Sequence, residues 1–173
     1  MPNSERYLID SDVLITSKNL YYRPDFCQAF WDWIVSGHKA GMLFSVDKVR
    51  IELLAGKKKD RLYAWAQMPE LKSFFLPSAA GGPKWKELAK WATTQHYLAA
   101  AQAKFLRVES ADAWLIAYAA AQGNYVIVTN EVSAPMSQTE IKLPDASTVL
   151  NVKTISMFDL LQKAAHKTFI FKP

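Results

Sequence analysis

The sequence predicts an α/β fold in layers, with a mostly parallel central sheet flanked by helices. Short apolar runs alternate along the chain with stretches whose apolar residues recur at helical spacing, which is the pattern of strand–helix–strand units. The length of 173 residues is typical of one domain with a substantial core, and neither a repeat nor a low-complexity tract divides it. We therefore expect a single domain over residues 1–173.

The composition excludes several classes of protein. Half of the residues are apolar and 21% are charged, which argues against disorder. No apolar run reaches the ~20 residues of a membrane span, and the first residues lack the apolar stretch of a signal peptide. The single cysteine, Cys27, can form neither an internal disulfide nor a multi-thiolate zinc site. We therefore expect a cytoplasmic protein without a membrane partner, and its net charge of +5 is compatible with a polyanionic one.

The first half of the chain is predicted to contain two strands and three helices. The strands are expected at residues 7–9 and 42–46. A helix follows Pro24 and ends in a left-handed cap at Gly37, and further helices cover 47–55 and 60–67. The inward face of the first helix is predicted to comprise Phe26, Phe30, Trp33 and Ile34.

The second half begins with a predicted loop at 76–83, followed by one long amphipathic helix over 84–104, with Leu98 among its inward residues. A helix over 111–122 is expected between an N-cap at Ser110 and Gly123. The predicted segments that follow are a strand at 125–129, a polar connection at 132–148, a strand at 152–155, a helix from 156 to about 165 that opens with a capping box, and an apolar tail at 168–171 that packs or adds an edge strand.

Four acidic residues fall where an open parallel sheet binds ligands, beyond the carboxyl ends of its strands. Asp10 follows the first strand, Glu52 lies on the helix after the second, Asp112 opens the helix 111–122, and Glu131 follows the strand 125–129. Carboxylates without histidine or cysteine suit Mg²⁺ or Mn²⁺ rather than zinc. Such an ion lowers the pKa of a bound water and stabilises charge that develops at phosphorus. The pattern therefore favours a divalent-metal site for phosphate chemistry.

Each acid also has a purely structural explanation. Asp112 lies where the helix dipole favours an acid, Glu52 fits a solvated helix face, and Glu131 fits the first solvated residue after a core strand. Asp10 is harder to explain in this way, because a carboxylate directly after a buried strand is costly unless it caps, pairs or binds. Asp12 is interpreted as the N-cap of the segment that follows.

The order of these motifs resembles the PIN-domain family. The motifs stand here as YLIDSDVLI, DKVRIELLAG, SADAWLIAYAAAQG and YVIVTNE, spread over residues 7–131, with the strand and helix at 152–165 after them. The stretch PDFCQAFWDWI further resembles a PIN-like group of bacterial and archaeal relatives of toxin–antitoxin nucleases. The resemblance implies a three-layer PIN-like fold and a Mg²⁺- or Mn²⁺-dependent endoribonuclease. It also implies a toxin restrained by a cognate antitoxin, in a family in which homodimers are common.

The resemblance assigns roles to individual residues. The carboxylates that match the family's catalytic, metal-binding acids are Asp10, Glu52, Asp112 and Glu131. Thr129 matches the hydroxyl residue that supports the site, and Asp12 and Asn130 are grouped with it as supporting residues. The last acid of the family is usually Asp, so the longer Glu131 changes the metal geometry, acts through a water, or shares its role with Asn130.

A basic run follows the helix that carries Glu52. Lys57, Lys58 and Lys59, with Arg61, can attract an RNA backbone through non-specific phosphate contacts, or they form a solvated turn between helices. Both interpretations fit the sequence.

Two other functions stay open. A PIN scaffold that has lost catalysis would serve as an RNA- or protein-binding module, and Glu131 in place of Asp is the best support for it. The Asp-Ser-Asp at 10–12 and the segment YVIVTN also resemble haloacid-dehalogenase-like phosphatases, in which the first Asp attacks phosphorus and the second is the acid–base. The late pair of acids that such an enzyme needs does not occur, and Asp112 and Glu52 would have no role in it.

Overall fold

A computed structural model describes residues 5–165 of the protein. In this part of the chain a parallel five-stranded sheet lies between layers of helices, so the predicted three-layer α/β fold is confirmed. The strands are β1 (Arg6–Ile9), β2 (Leu43–Val46), β3 (Phe75–Leu76), β4 (Tyr125–Val128) and β5 (Thr154–Ile155). Their spatial order is β3–β2–β1–β4–β5.

The helices fill the connections between these strands. The α-helices of residues 5–165 are α1 (Ser11–Thr16), α2 (Gln28–Lys39), α3 (Asp47–Leu54), α4 (Arg61–Trp65), α5 (Gly82–Thr94), α6 (Ala99–Phe105), α7 (Ala111–Gln122), α8 (Leu143–Val149) and α9 (Met157–Ala164). A π-helical turn, Ser17–Tyr21, continues α1, and two 3₁₀ turns cover Pro69–Leu71 and Ser78–Gly81. In this described part of the chain, no helix is both long and apolar enough to cross a membrane.

The register of the sheet brings the ends of its central strands together. β1 pairs with β2 on one side and with β4 on the other, and Ile9 lies opposite Val128. The N–H of Asp10 extends the β1–β4 ladder by donating to the Val128 carbonyl at 3.0 Å. Because all strands run in the same direction, the residues that follow them meet at one edge of the sheet.

Burial on both faces explains the composition of the central strands. In β1, Tyr7, Leu8 and Ile9 are all buried, with no polar alternation, as expected for a strand covered by helices on both sides. Helix α7 is alanine-rich and buried along most of its length. Gly81 ends the 3₁₀ turn Ser78–Gly81, and an added Cβ there would lie 2.7 Å from the Tyr118 backbone nitrogen. Only glycine at this position therefore lets the turn pack this closely against α7.

Several predicted boundaries are confirmed. α7 occupies 111–122 as expected, and Gly123 ends it in the left-handed conformation with φ of 75°. Helix α9 begins with the predicted capping box, in which the Ser156 hydroxyl accepts the Asp159 N–H at 3.1 Å. The strands β1, β2, β4 and β5 lie within or one residue beyond the predicted runs. The predicted tail at 168–171 lies outside the described residues.

Three predicted segments are wrong. The expected loop at 76–83 contains the end of β3, a 3₁₀ turn and the start of α5. The expected single helix over 84–104 is two helices, because the backbone is extended at Gln95 and the Leu98 N–H donates to the Gln138 carbonyl at 2.9 Å. The expected connection at 132–148 contains most of α8, whose first turn carries Pro144.

Details of three other predictions are also wrong. Gly37 lies inside α2, where the side chain of Leu43 packs against it, and the left-handed residue is Gly41 with φ of 74°. Phe26 precedes α2 and is 68% exposed, because the helix begins only at residue 28, and Leu98 is likewise exposed in the break after α5. The N-cap position of α1 belongs to Asp10, and Asp12 lies in its first turn.

Candidate active site

The site is built around Asp10, which is 2% exposed although it is ionisable. It follows β1 directly and occupies the N-cap position of α1 without a capping side-chain hydrogen bond. Its carboxylate is instead held by two hydroxyl groups. Thr129 Oγ1 donates to Oδ2 at 3.0 Å, and Ser11 Oγ lies 3.4 Å from Oδ1. The predicted supporting residue Thr129 therefore contacts the acid that it was expected to support.

Ser11 connects this acid to the next one. Its hydroxyl lies 2.6 Å from Glu52 Oε2, so one short side chain lies between the carboxylates of Asp10 and Glu52. The other oxygen, Oε1, accepts the backbone N–H of Ala111 at 2.9 Å. Glu52 thus satisfies an N–H at the start of α7, and Ser110, the N-cap residue, makes no side-chain capping bond.

Glu131 has a similar role at another helix. Its Oε2 accepts the N–H of Leu143, the first residue of α8, at 2.8 Å. Its own N–H donates to Thr129 Oγ1 at 3.2 Å, so a single threonine hydroxyl contacts both Asp10 and Glu131. The two glutamates therefore fix helix ends that are distant from them in sequence.

Asp112 completes the set from the first turn of α7. It is half-buried and lines a narrow cleft of about 40 Å³ together with Glu131 and two lysines, Lys104 and Lys142. This volume holds a few water molecules or one small ion. All four predicted carboxylates thus lie at one edge of the sheet. Ser11 lies between Asp10 and Glu52, and Thr129 contacts both Asp10 and Glu131. Asp112 experiences the negative charges of Glu131 and Glu52.

The repulsion appears in the ionisation of the two aspartates. Burial, followed by the charges of Glu131 and Glu52, raises the pKa of Asp112 to about 7. Burial, followed by the charge of Asp112, raises the pKa of Asp10 well above its ordinary range, although the Thr129 hydrogen bond opposes the change. An added cation would relieve this accumulation of negative charge.

Two cations that the sequence analysis missed border the cleft. Lys142 Nζ lies 2.5 Å from Glu140, and Lys104 lies 4.0 Å from the same carboxylate. The Glu140 hydrogen bond raises the pKa of Lys142, and the charges of Glu131 and Asp112 add to the effect. Lys142 immediately precedes α8, so its position depends on a helix that the sequence did not predict. The proline at 144 was the available signal for a helix start.

The other predicted residues lie around this centre. The Asp12 carboxylate accepts the Thr16 hydroxyl at 3.2 Å, and its charge contributes to the raised pKa of Asp10. Asn130 is half-buried between Thr129 and Glu131 in the chain. The predicted basic run is exposed in the turn between α3 and α4 and at the start of α4, and comprises Lys57, Lys58, Lys59 and Arg61.

The donors of the site fit a hard divalent cation by their chemistry. They are carboxylate oxygens with a surplus of negative charge, which is the set that Mg²⁺ and Mn²⁺ prefer. Within residues 5–165, however, no group of three or more Asp, Glu, His or Cys side chains forms a ready cluster for a metal ion. Both oxygens of Glu52 have hydrogen-bond partners, whereas Asp112 and one oxygen of Glu131 face the cleft region without a hydrogen bond from the described residues.

Comparison with known proteins gives one family. A protein-family model described as "Domain of unknown function (DUF4411)" matches residues 7–168, which is nearly the whole chain. No curated protein and no solved structure matches the chain significantly.

Proposed function

We propose that this chain, which belongs to the DUF4411 family, is a divalent-metal-dependent endoribonuclease that hydrolyses RNA phosphodiester bonds. The observation that supports this function best is the position of Asp10 and Asp112. They come from separate elements at the carboxyl edge of a parallel sheet, and both have a raised pKa. Burial is the first cause for both, the charge of Asp112 adds to it at Asp10, and the charges of Glu131 and Glu52 add to it at Asp112. Such an arrangement destabilises the protein unless a cation or a proton compensates it, which is typical of a functional site.

In this proposal Asp10, Asp112 and the free oxygen of Glu131 hold Mg²⁺ or Mn²⁺, and Glu52 supports them through Ser11. The ion would supply a water that ionises near neutral pH and would neutralise charge on the phosphate oxygens. Thr129 keeps the Asp10 carboxylate oriented through its 3.0 Å hydrogen bond. When bound, the ion would replace the proton that Asp112, with its pKa raised to about 7, otherwise retains near neutral pH.

The lysines of the cleft complete the proposal on the substrate side. Lys104 and Lys142 border the same cleft as Asp112 and Glu131, so they can bind the phosphate beside the scissile bond. The exposed basic run at 57–61 would attract the strand at longer range. We further propose, on the resemblance to PIN domains, a cytoplasmic toxin with a cognate antitoxin and a homodimeric state.

The test is cleavage of a mixed RNA pool in the presence of Mn²⁺. Wild type should cleave, and Asp10→Asn and Asp112→Asn should each lose at least about a hundredfold in rate, because each removes a carboxylate that would hold the ion. The control is Glu109→Gln, which removes an exposed carboxylate just before α7 and should keep the wild-type rate. Cleavage that survives either aspartate change, or that persists after chelation of the metal, would contradict the proposal.

A binding module is the second candidate, and one observation favours it. Glu52 and Glu131 already accept hydrogen bonds at helix ends, a structural role that does not require a metal. A scaffold of this kind would bind RNA without cleaving it, and Mn²⁺ would not raise its melting temperature. A rise in Tm with Mn²⁺ in wild type, absent in Asp112→Asn, would favour the nuclease.

A further inference from the structure

A second hollow lies away from the carboxylates, between the π-helical turn after α1, α2 and α4. It has a volume of about 270 Å³, and we call it the tryptophan pocket. Its wall is formed by Trp31 and Trp65, whose rings meet edge to face at 5.2 Å, and by Leu62 and Met68. The volume lies just below the range of pockets that take drug-sized ligands, so it suits a single planar ring system.

One polar group of this wall lacks a partner. The indole N–H of Trp31 donates to the Tyr22 carbonyl at 2.7 Å, whereas the buried indole N–H of Trp65 has no hydrogen-bond partner among the described residues. Leaving a buried donor unpaired costs free energy. Since the Trp65 ring lines the pocket, a ligand that carries acceptor atoms can compensate for this cost after a small adjustment of the ring.

The rim of the pocket is charged. Lys18 and Arg61 line it, and each holds a carboxylate at 2.5 Å, Asp60 and Asp25 respectively. Both cations also line an adjoining polar hollow of about 250 Å³, to which Arg23 contributes a third positive charge. Three cations therefore face two carboxylates, and the exposed lysines at 57–59 precede the same helix.

We propose that the two hollows together bind one nucleotide unit of an RNA strand. The base would lie in the tryptophan pocket, in apolar contact with the accessible parts of the largely buried Trp31 and Trp65 rings. The phosphate would lie between Lys18 and Arg61, where it competes with the two aspartates for charge-assisted hydrogen bonds. Lys18 and Arg61 line both hollows and therefore lie where the two adjoin. This arrangement suits a ligand in which a flat base is joined to a phosphate.

The place of the pocket in the fold connects it with the candidate active site. Ser11, which contacts Asp10 and Glu52, begins the same continuous helical segment that carries Lys18. Seven residues of helix separate them by roughly 10 Å along the axis. The inference rests on the proposed RNA substrate, and it adds a subsite that would hold the strand beside the point of cleavage.

The experiment follows the indole N–H signals of the six tryptophans in ¹H–¹⁵N spectra of the full chain. The probes are AMP, CMP, GMP and UMP, and then a single-stranded RNA hexamer, all added to the Asp112→Asn variant so that the RNA stays intact. Trp65→Phe assigns the Trp65 signal. Two variants, Lys18→Gln and Arg61→Gln, test the rim, and Lys86→Gln removes an exposed positive charge from α5 as the matched control.

We expect saturable shifts of the Trp31 and Trp65 signals, and no comparable shift of the Trp85 and Trp114 signals. Either rim variant should weaken the affinity by roughly tenfold to a hundredfold, as expected for one charge-assisted hydrogen bond, and Lys86→Gln should leave it unchanged. No shift at Trp31 and Trp65 with any probe, or wild-type affinity in both rim variants, would overturn the inference.

Two further outcomes separate the sources of the ligand and the two proposals. Shifts that appear at a lower concentration of hexamer than of mononucleotide assign the pocket to an RNA strand, whereas shifts with free nucleotides alone overturn that assignment. Saturable binding by a wild type that cleaves no RNA would retain the pocket and reject the nuclease. RNA cleavage by a protein whose Trp31 and Trp65 signals do not respond to any probe would retain the nuclease and reject the pocket.

Discussion

Asp112→Asn is expected to stabilise the protein at alkaline pH, and to do so less and less as the pH falls. The pKa of Asp112 is raised from 3.8 to about 7 in the folded protein, first by burial and then by the charges of Glu131 and Glu52. Between these values the folded protein keeps a proton that the unfolded chain has lost. The contribution of Asp112 to the free energy of unfolding therefore decreases as the pH rises from about 4 to about 7, and then stays level. The asparagine variant lacks this decrease.

The magnitude follows from the same numbers. A pKa raised from 3.8 to about 7 corresponds to roughly 4 kcal/mol at about 1.36 kcal/mol per pKa unit. This is an upper limit, because Asp112 keeps some contact with solvent, which screens its charge. We expect the stability difference between variant and wild type to grow by about 1 to 4 kcal/mol between about pH 4 and about pH 8. Each kcal/mol changes the Tm by roughly 2 to 4 °C in a domain of this length.

The assay is thermal and urea unfolding of wild type and Asp112→Asn at several pH values, with a chelator present so that no metal offsets the repulsion. Glu109→Gln is the control, because it removes an exposed carboxylate near the same helix end. Its difference from wild type should change little with pH. A difference for Asp112→Asn that is independent of pH, or a variant less stable than wild type at about pH 8, would refute the reasoning.

Three more changes test the scaffold of the site by urea denaturation. Gly81→Ala should lower the free energy of unfolding by about 1 to 3 kcal/mol, because its Cβ would approach the backbone of α7 to 2.7 Å. The control Gly82→Ala, with open space around it, should be neutral or slightly stabilising. Equal effects of the two changes would contradict the packing argument. Ser156→Ala should lower the free energy of unfolding by about 1 kcal/mol, because it removes the capping box of α9. Ser110→Ala removes no capping hydrogen bond and should lower it less. Thr129→Val should lower the free energy of unfolding by about 1 to 3 kcal/mol, because the Asp10 carboxylate and the Glu131 backbone N–H lose their hydrogen-bond partner. Thr129→Ser keeps the hydroxyl and should restore most of this stability. If the serine variant is as unstable as the valine variant, the effect belongs to packing and not to the hydrogen bonds.

The predicted parts of the fold are those whose signals are local. Glycine in the left-handed conformation at Gly123 and the capping box at Ser156 depend on residues within one helical turn, so the sequence contains the whole signal. The break between α5 and α6 depends instead on a hydrogen bond from Leu98 to Gln138, forty residues away. The pattern of apolar residues continues across that break, which is why it predicted one helix.

The candidate site likewise has parts that the sequence predicted and parts that depend on contacts between distant residues. The order of four acids along the chain predicted that they would lie at one edge of the sheet, because parallel strands bring their ends to one edge. The sequence could not show that Lys142 joins them, since its position depends on the unpredicted α8. Nor could it show the role of Ser11, whose bridge between two acids requires the packing of α1 against α3.

The hydrogen bonds from Glu52 to Ala111 and from Glu131 to Leu143 have a consequence for reading related sequences. A descendant that has lost all catalysis would still gain stability from both glutamates, because they satisfy the first N–H groups of two helices. Their retention is therefore poor evidence of activity. Asp112 accepts no such bond from the described residues and only adds to the repulsion in the folded protein, so drift would remove it first. Under the proposed function, the presence or loss of this aspartate is the feature that would distinguish active from inactive members of the family.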